Sequence, residues 1–154
     1  MSHELNLLIA SELKQLDMLI EPRRPLIARS LNASPSMEDL DALSALLHSA
    51  YTSMERIMTH IAGNQGVHEA MRSKAFMWHT ALLNALATST DDRPAVISDE
   101  LRIHLNEYLG FRHVFRHAYL HELQWSKMRP LVENLENVVQ LFQSEVKDHL
   151  HKRP

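Results

Sequence analysis

The chain has 154 residues, of which 45% are hydrophobic and only three are glycine. This balance suits packed helices better than a disordered or loop-rich chain. The absence of cysteine excludes disulfides, thiolate metal sites and cysteine nucleophiles. A formal net charge of −3 at pH 7 excludes a broad electrostatic surface for nucleic acid, because such a surface needs many clustered lysines and arginines. We expect a single domain over residues 1–154.

The N-terminal sequence indicates where the protein resides. Residues 1–4 lack the basic flank and the continuous apolar run of a signal peptide. No stretch of the sequence approaches the roughly 18 consecutive apolar residues of a membrane span. We therefore expect a cytoplasmic protein with no membrane contact.

Hydrophobic residues recur at three- and four-residue steps through the first half of the chain, which predicts amphipathic helices. The first helix is expected to end at Pro22, and residues 26–34 form a connection with room for one helical turn. The hydroxyl and proline residues of segment 34–36, followed by acidic residues, are typical of a helix start. This second helix is expected to end at Gly63 and Asn64.

The second half of the chain continues the helical pattern. A third apolar stripe runs from Val67 to Leu86, and Ser98 with two acidic residues opens a fourth helix that Gly110 interrupts. A glycine there costs roughly 1 kcal/mol relative to alanine, which predicts a bend or a close backbone contact. A last long helix starts near Met128. The prediction is an all-α fold, an antiparallel four-helix-bundle core with additional short helices.

Cationic and protonatable side chains crowd together just after Gly110, at Arg112, His113, Arg116 and His117. An imidazole titrates near neutral pH, so His117 can exchange a proton with a ribose 2'-hydroxyl or a leaving oxygen. Arg112 can hold phosphate charge through two parallel hydrogen bonds. Neither step requires a metal.

The spacing of these two residues limits how one helix can present them. Residues five apart on an ideal helix differ by about 140° in direction and about 7.5 Å in height. Arg112 and His117 therefore do not share a stripe. Either a bend near Gly110 turns Arg112 inward, or a second copy of the chain completes the site across a two-fold axis, and we favour the dimer.

The segment Phe111-Arg112-His113-Val114-Phe115-Arg116-His117-Ala118-Tyr119 resembles the signature of HEPN-type ribonuclease toxins of the HepT kind. It contains an arginine, a polar residue, three further residues and a histidine, and it has the His-x-Tyr ending typical of HepT-like toxins. The similarity extends from Val96 through Leu123. Weaker similarity occurs at residues 51–56 and 78–83.

The resemblance implies a four-helix core, a homodimer or higher even oligomer with the site at its interface, and metal-independent RNA cleavage with no cofactor. It also implies a toxin that a small nucleotidyltransferase antitoxin neutralises by transferring AMP to the motif tyrosine. By residue-level matching, Arg112 and His117 are catalytic, and Tyr119 is the modification site. His113 occupies the second polar position and supports the site with Arg116. His113 departs from the pattern, because the family more often has Asn or Asp there.

Other readings of single residues remain open. His113, His117 and His121 are spaced to bind zinc from one helix face, although no acidic residue clearly completes the set. Tyr51, Glu55 and Arg56 can support the site or form a surface ion pair. His79 can reach the cleft or fill a hydrogen-bonded packing role.

Two functions remain open as well. The first is an RNA-cleaving toxin, which the complete Arg112, His117 and Tyr119 set favours. The second is a non-catalytic HEPN module that serves as a partner or scaffold for a nucleotidyltransferase, which the low positive charge favours.

Overall fold

A computed structural model describes residues 3–64, 77–117 and 123–151. The α-helices of these ranges are α1 (His3–Ile20), α2 (Arg24–Asn32), α3 (Met37–Asn64), α4 (Trp78–Ala87), α5 (Asp99–His117) and α6 (Trp125–His151). A short 3-10 turn, Glu21–Arg23, joins α1 to α2. The described ranges contain no strand, only an isolated bridge between Thr90 and Arg93. The predicted all-α class is confirmed.

Helix α3 is the central element, and it contacts α1, α2, α4, α5 and α6. Its start is fixed by a reciprocal cap. Ser36 Oγ accepts the backbone N–H of Asp39 at 3.1 Å, while the Asp39 carboxylate accepts the N–H of Ser36 at 3.3 Å. One face of α3 carries a set of buried apolar residues: Leu43, Leu46, Leu47, Ala50, Met54, Ile57, Met58, Ile61 and Ala62.

The four long helices α1, α3, α5 and α6 form the bundle core. Helices α3 and α6 contact each other and both of the remaining long helices. Burying each large apolar side chain of this core stabilises the fold by about 1.5–3 kcal/mol. Tyr108 of α5 also donates a hydrogen bond from its buried hydroxyl to the carbonyl of Leu131 in α6, at 2.7 Å. This core places the last turns of α5 against α3 and α4.

Two local predictions were wrong. Residues 26–34 are mostly helical rather than a connection, because Pro25 lies at the start of α2, where its missing N–H costs no hydrogen bond, and Ile27 and Ser30 face the core. Helix α5 also continues through Gly110 without interruption. Among the described residues, no heavy atom beyond the adjacent residues and backbone of α5 itself lies within 4 Å of the place where a Cβ on Gly110 would stand, so no close contact in this part of the chain explains the glycine.

The third predicted helix is described only in part. Its first apolar positions, Val67, Met71 and Ala75, lie outside the described residues, and α4 begins at Trp78. The start of α5 agrees with the sequence, because Ser98 Oγ accepts the N–H of Leu101 at 3.1 Å. No helix in the described ranges is both long enough and apolar enough to cross a membrane.

Candidate active site

The C-terminal half of α5 lines a shallow pocket of ≈ 50 Å³ that it shares with α4. Four of the residues from α5 are those singled out in the sequence, and His79 contributes from α4. The residues that line this pocket are His79, Leu109, Arg112, His113, Arg116 and His117. The structure thus places Arg112 and His117 at the lining of one pocket within a single chain, despite their separation of about 140° around the helix. Tyr119 and His121 lie outside the described residues.

Arg112 points inward because it continues the buried stripe of α5. Leu105 and Tyr108 are buried, and Arg112 follows Tyr108 at the next helical step. Its side chain is only 14% exposed, and its Nη1 donates a hydrogen bond to Oε1 of Glu55 at 2.6 Å. The guanidinium carbon also lies 5.7 Å from the centre of the Tyr51 ring. The regular helical register of α5 turns Arg112 inward, and this orientation needs no break at Gly110.

Glu55 of α3 joins the two sides of the pocket. Its side chain is 7% exposed, and its second oxygen, Oε2, lies 2.6 Å from Nδ1 of His79. A buried carboxylate is costly unless it is paired, and here each oxygen has its own partner. Of the two roles left open for Glu55, the structure shows a buried ion pair with a site residue. Arg56 makes a separate contact outside the pocket, with its Nη1 3.4 Å from Glu12 Oε2 and its side chain 56% exposed.

Tyr51 lies on the same face of α3 and stays protonated. Burial, reinforced by the negative charge of Glu55, raises the pKa of the Tyr51 phenol far above its ordinary value. Its hydroxyl is buried and makes no well-formed hydrogen bond within the described part of the chain. The phenol therefore serves as a neutral wall under Arg112.

His48, one turn before Tyr51, is a site neighbour that the sequence reasoning missed. Its ring centre lies 5.2 Å from that of Phe115. Burial, and then the positive charges of Arg112 and Arg116, lower the pKa of the His48 imidazole, while Glu55 partly offsets them. His48 is consequently neutral near pH 7. Its spacing of seven residues before Glu55 was the available signal, because it places both on one helix face.

His117 lies at the exposed end of α5. Its Nδ1 is 3.0 Å from the backbone oxygen of His113, and the two imidazole rings are 4.7 Å apart. Because a carbonyl oxygen only accepts hydrogen bonds, Nδ1 carries the hydrogen, and Nε2 is the nitrogen left for proton exchange. Arg116, also exposed, adds a second cation to the pocket.

The pocket thus combines one anchored guanidinium, one exposed guanidinium and several imidazoles. Guanidinium groups bind phosphate oxygens, and imidazoles transfer protons near neutral pH. The described ranges contain no group of three His, Cys, Asp or Glu side chains placed to hold a metal ion. The zinc alternative depended on His121, which those ranges do not include.

Comparison with known proteins agrees with the motif. A family model described as HepT-like protein matches residues 42–152, which include every residue that lines the pocket. No curated protein and no solved structure matches the chain. Since the family model matches well over half of the sequence, the chain belongs to the HepT-like protein family.

Proposed function

We propose that this protein is a ribonuclease toxin that cuts RNA without a metal ion. In this proposal the ribose 2'-hydroxyl attacks the adjacent phosphate, Arg112 holds the phosphate charge, and His117 exchanges the proton. His113 and Arg116 support the site. The proposal is supported by membership of the HepT-like family and by the pocket that Arg112 and His117 share.

The observation that carries the proposal is the anchoring of Arg112. A guanidinium has five N–H donors, and the contact with Glu55 engages Nη1. Arg112 still lines the pocket, where its other amino group can meet a phosphate oxygen. Because Glu55 and the Tyr51 ring already order the side chain, phosphate binding has little conformational entropy left to lose.

The proposed partners rest on the resemblance to HepT-like toxins. A small nucleotidyltransferase antitoxin would transfer AMP to Tyr119, two residues beyond His117 in sequence. The added phosphate charge and bulk would oppose RNA at the pocket. A homodimer or higher even oligomer would bring two copies of the pocket together across a two-fold axis.

The nuclease claim is tested with a labelled RNA and purified protein that carries no AMP, with EDTA present throughout. The wild type is expected to cut the RNA in EDTA, and His117→Ala and Arg112→Ala are expected to lose cleavage. His60→Ala is the matched control, because His60 lies on α3 and does not line the pocket. Cleavage by His117→Ala at the wild-type rate, or no cleavage by the unmodified wild type, would contradict the proposal.

The toxin claim is tested in cells. Expression of the chain alone is expected to arrest growth, and His117→Ala is expected to relieve the arrest. Co-expression of a cognate small nucleotidyltransferase is expected to restore growth with a mass increase of one AMP on the wild type. Tyr119→Phe should lack that increase, and an unchanged modification of this variant would place AMP elsewhere.

A partner or scaffold module for a nucleotidyltransferase is the second candidate. The observation that favours it is that a buried carboxylate neutralises the charge of Arg112, in a chain whose net charge is −3. This function predicts binding to the nucleotidyltransferase with no growth arrest by the chain alone. It further predicts that His117→Ala binds that partner as well as the wild type does.

A further inference from the structure

We infer that His79 is a second catalytic imidazole of this pocket, which protonates the leaving 5'-oxygen while His117 accepts the 2'-hydroxyl proton. This inference rests on the proposed ribonuclease function. Its structural basis is that Glu55 and Trp78 hold the His79 ring at the wall of the pocket that Arg112 and His117 also line.

Two contacts fix the His79 ring. Its Nδ1 lies 2.6 Å from the buried Glu55 carboxylate, and its ring centre lies 3.8 Å from that of Trp78. A carboxylate accepts hydrogen bonds, so Nδ1 carries a hydrogen and Nε2 is the remaining exchange position. The side chain is 26% exposed, which leaves part of the ring accessible from the pocket. This is the arrangement in which a carboxylate orients a catalytic imidazole.

The surroundings of the two imidazoles assign their roles. His79 Nδ1 contacts a carboxylate that is 7% exposed, which fixes the ring with Nε2 as its remaining exchange position, and this carboxylate-oriented imidazole takes the acid role. His117 is exposed, and its Nδ1 contacts the backbone carbonyl of His113, so Nε2 is its remaining exchange position and takes the base role. Each imidazole has its Nδ1 engaged, which leaves Nε2 of each for the substrate.

The reaction step balances with these two groups alone. The 2'-oxygen forms a bond to phosphorus and gives its proton to Nε2 of His117, while the phosphorus–5'-oxygen bond breaks. The leaving 5'-oxygen takes a proton from Nε2 of His79. The products are a 2',3'-cyclic phosphate and a 5'-hydroxyl, and proton exchange with water restores both imidazoles. Acid and base then come from one chain.

The proposal is tested with an RNA whose wild-type cleavage position has been mapped. Two substrates are compared, one with the natural linkage and one with sulfur replacing the bridging 5'-oxygen at that position. A thiolate leaves without protonation, so the sulfur substrate bypasses the general acid but still needs the base. Rates are divided by the folded fraction of each variant, measured by circular dichroism.

His79→Asn is the informative variant, because the amide can keep donating to Glu55 where Nδ1 stood but has no nitrogen at the position of Nε2. On the natural RNA we expect this variant to be slower than the wild type by about 10²–10⁴-fold. On the sulfur substrate it should come within about tenfold of the wild type. His117→Asn should be slow on both substrates, and His60→Asn should be unchanged on both.

The outcomes separate the inference from the function on which it rests. Equal loss on both substrates, or full activity of His79→Asn on the natural RNA, would overturn the role of His79 as acid while leaving the ribonuclease standing. If the wild type gives no cleavage position to map, the ribonuclease and this inference are overturned together.

Discussion

The two ends of the motif in α5 differ in how the protein holds them. Arg112 is 14% exposed and is bonded to a carboxylate 57 residues earlier in the chain, so tertiary contacts fix it. His117 is exposed, and its bond to the carbonyl of His113 lies within its own helix. Arg112 is therefore held by a largely buried ion pair between two helices, whereas His117 lies exposed at the end of its helix.

This difference shows that substitutions at two residues of one motif can differ in how much they lower the stability of the fold. Removing a partner from a buried ion pair leaves an uncompensated charge, so a substitution at the Arg112 end should affect the stability of the fold as well as the site. Removing an exposed imidazole leaves the packing intact, so the His117 end couples only to chemistry. Substitutions at the Arg112 end should therefore lower stability, whereas substitutions at His117, five residues later, should lower activity without lowering stability.

The largest effect on stability is expected for Glu55→Ala. The substitution leaves the charge of Arg112 without its carboxylate partner and also removes the partner of His79. The free energy of unfolding should therefore fall by about 3–5 kcal/mol. Urea denaturation measures this change. Glu12→Ala is the matched control, because its ion pair with Arg56 also joins α3 to another helix but is solvent-exposed on the Arg56 side. The free energy of unfolding of the control should fall by no more than about 1 kcal/mol. Equal losses in the two variants would contradict the distinction between the buried and the exposed ion pair.

His117→Ala is expected to show the opposite behaviour. Its cleavage rate should fall by about 10²–10⁴-fold, the usual contribution of a general acid or base. Its free energy of unfolding should stay within about 0.5 kcal/mol of the wild type, because the side chain is exposed. The same urea titration, run beside the cleavage assay, gives both numbers. A destabilised variant would show that the His117 end is also part of the folded core.

Gly110→Ala tests the part of α5 that lies just before the motif. The residue lies inside α5 with no atom within 4 Å of a new Cβ, so alanine gains helix propensity without a clash. We expect an increase of about 0.5–1 kcal/mol in the free energy of unfolding. The thermal midpoint should rise accordingly, and a fall would mean that Gly110 serves a contact outside this chain.

The smallest effect concerns pH and His48. Its pKa is lower in the folded protein than its ordinary value of 6.5, because of burial and then the charges of Arg112 and Arg116. Below about pH 6.5 the unfolded chain binds the proton first, so stability is lost as pH falls toward the folded pKa. The wild type should lose more stability between pH 7.5 and pH 5 than His48→Gln does. Parallel urea midpoints across that range would contradict this.

Local signals in the sequence predicted local structure correctly. The hydroxyl residues Ser36 and Ser98 start helices where their spacing to following residues indicated, because a cap depends on three or four neighbouring residues. Helix α2 escaped prediction because the run Pro22-Arg23-Arg24-Pro25, which spans the 3-10 turn and the helix start, resembles a connection, although Ile27 and Ser30 turn to the core. Gly110 escaped as well, since a helix supported by a packed face tolerates one glycine.

The candidate site was predictable only along one helix. The sequence placed Arg112, His113, Arg116 and His117 together, and the structure gives all of them one pocket. Their contacts with α3 and α4 depend on tertiary packing, which spacing alone does not specify. A carboxylate at Glu55, among buried apolar residues of α3, was the one signal that a buried cation had to lie opposite.

The most direct test of the account is the chemical identity of the RNA ends. An RNA cut by the unmodified wild type in EDTA is analysed by mass spectrometry, beside the same RNA carrying one 2'-deoxyribose at the mapped cleavage position. We predict a 2',3'-cyclic phosphate and a 5'-hydroxyl on the natural RNA, and no cleavage at the deoxyribose. Ends with a 3'-hydroxyl and a 5'-phosphate, or cleavage at the deoxyribose, would contradict attack by the 2'-hydroxyl and the roles assigned to this pocket.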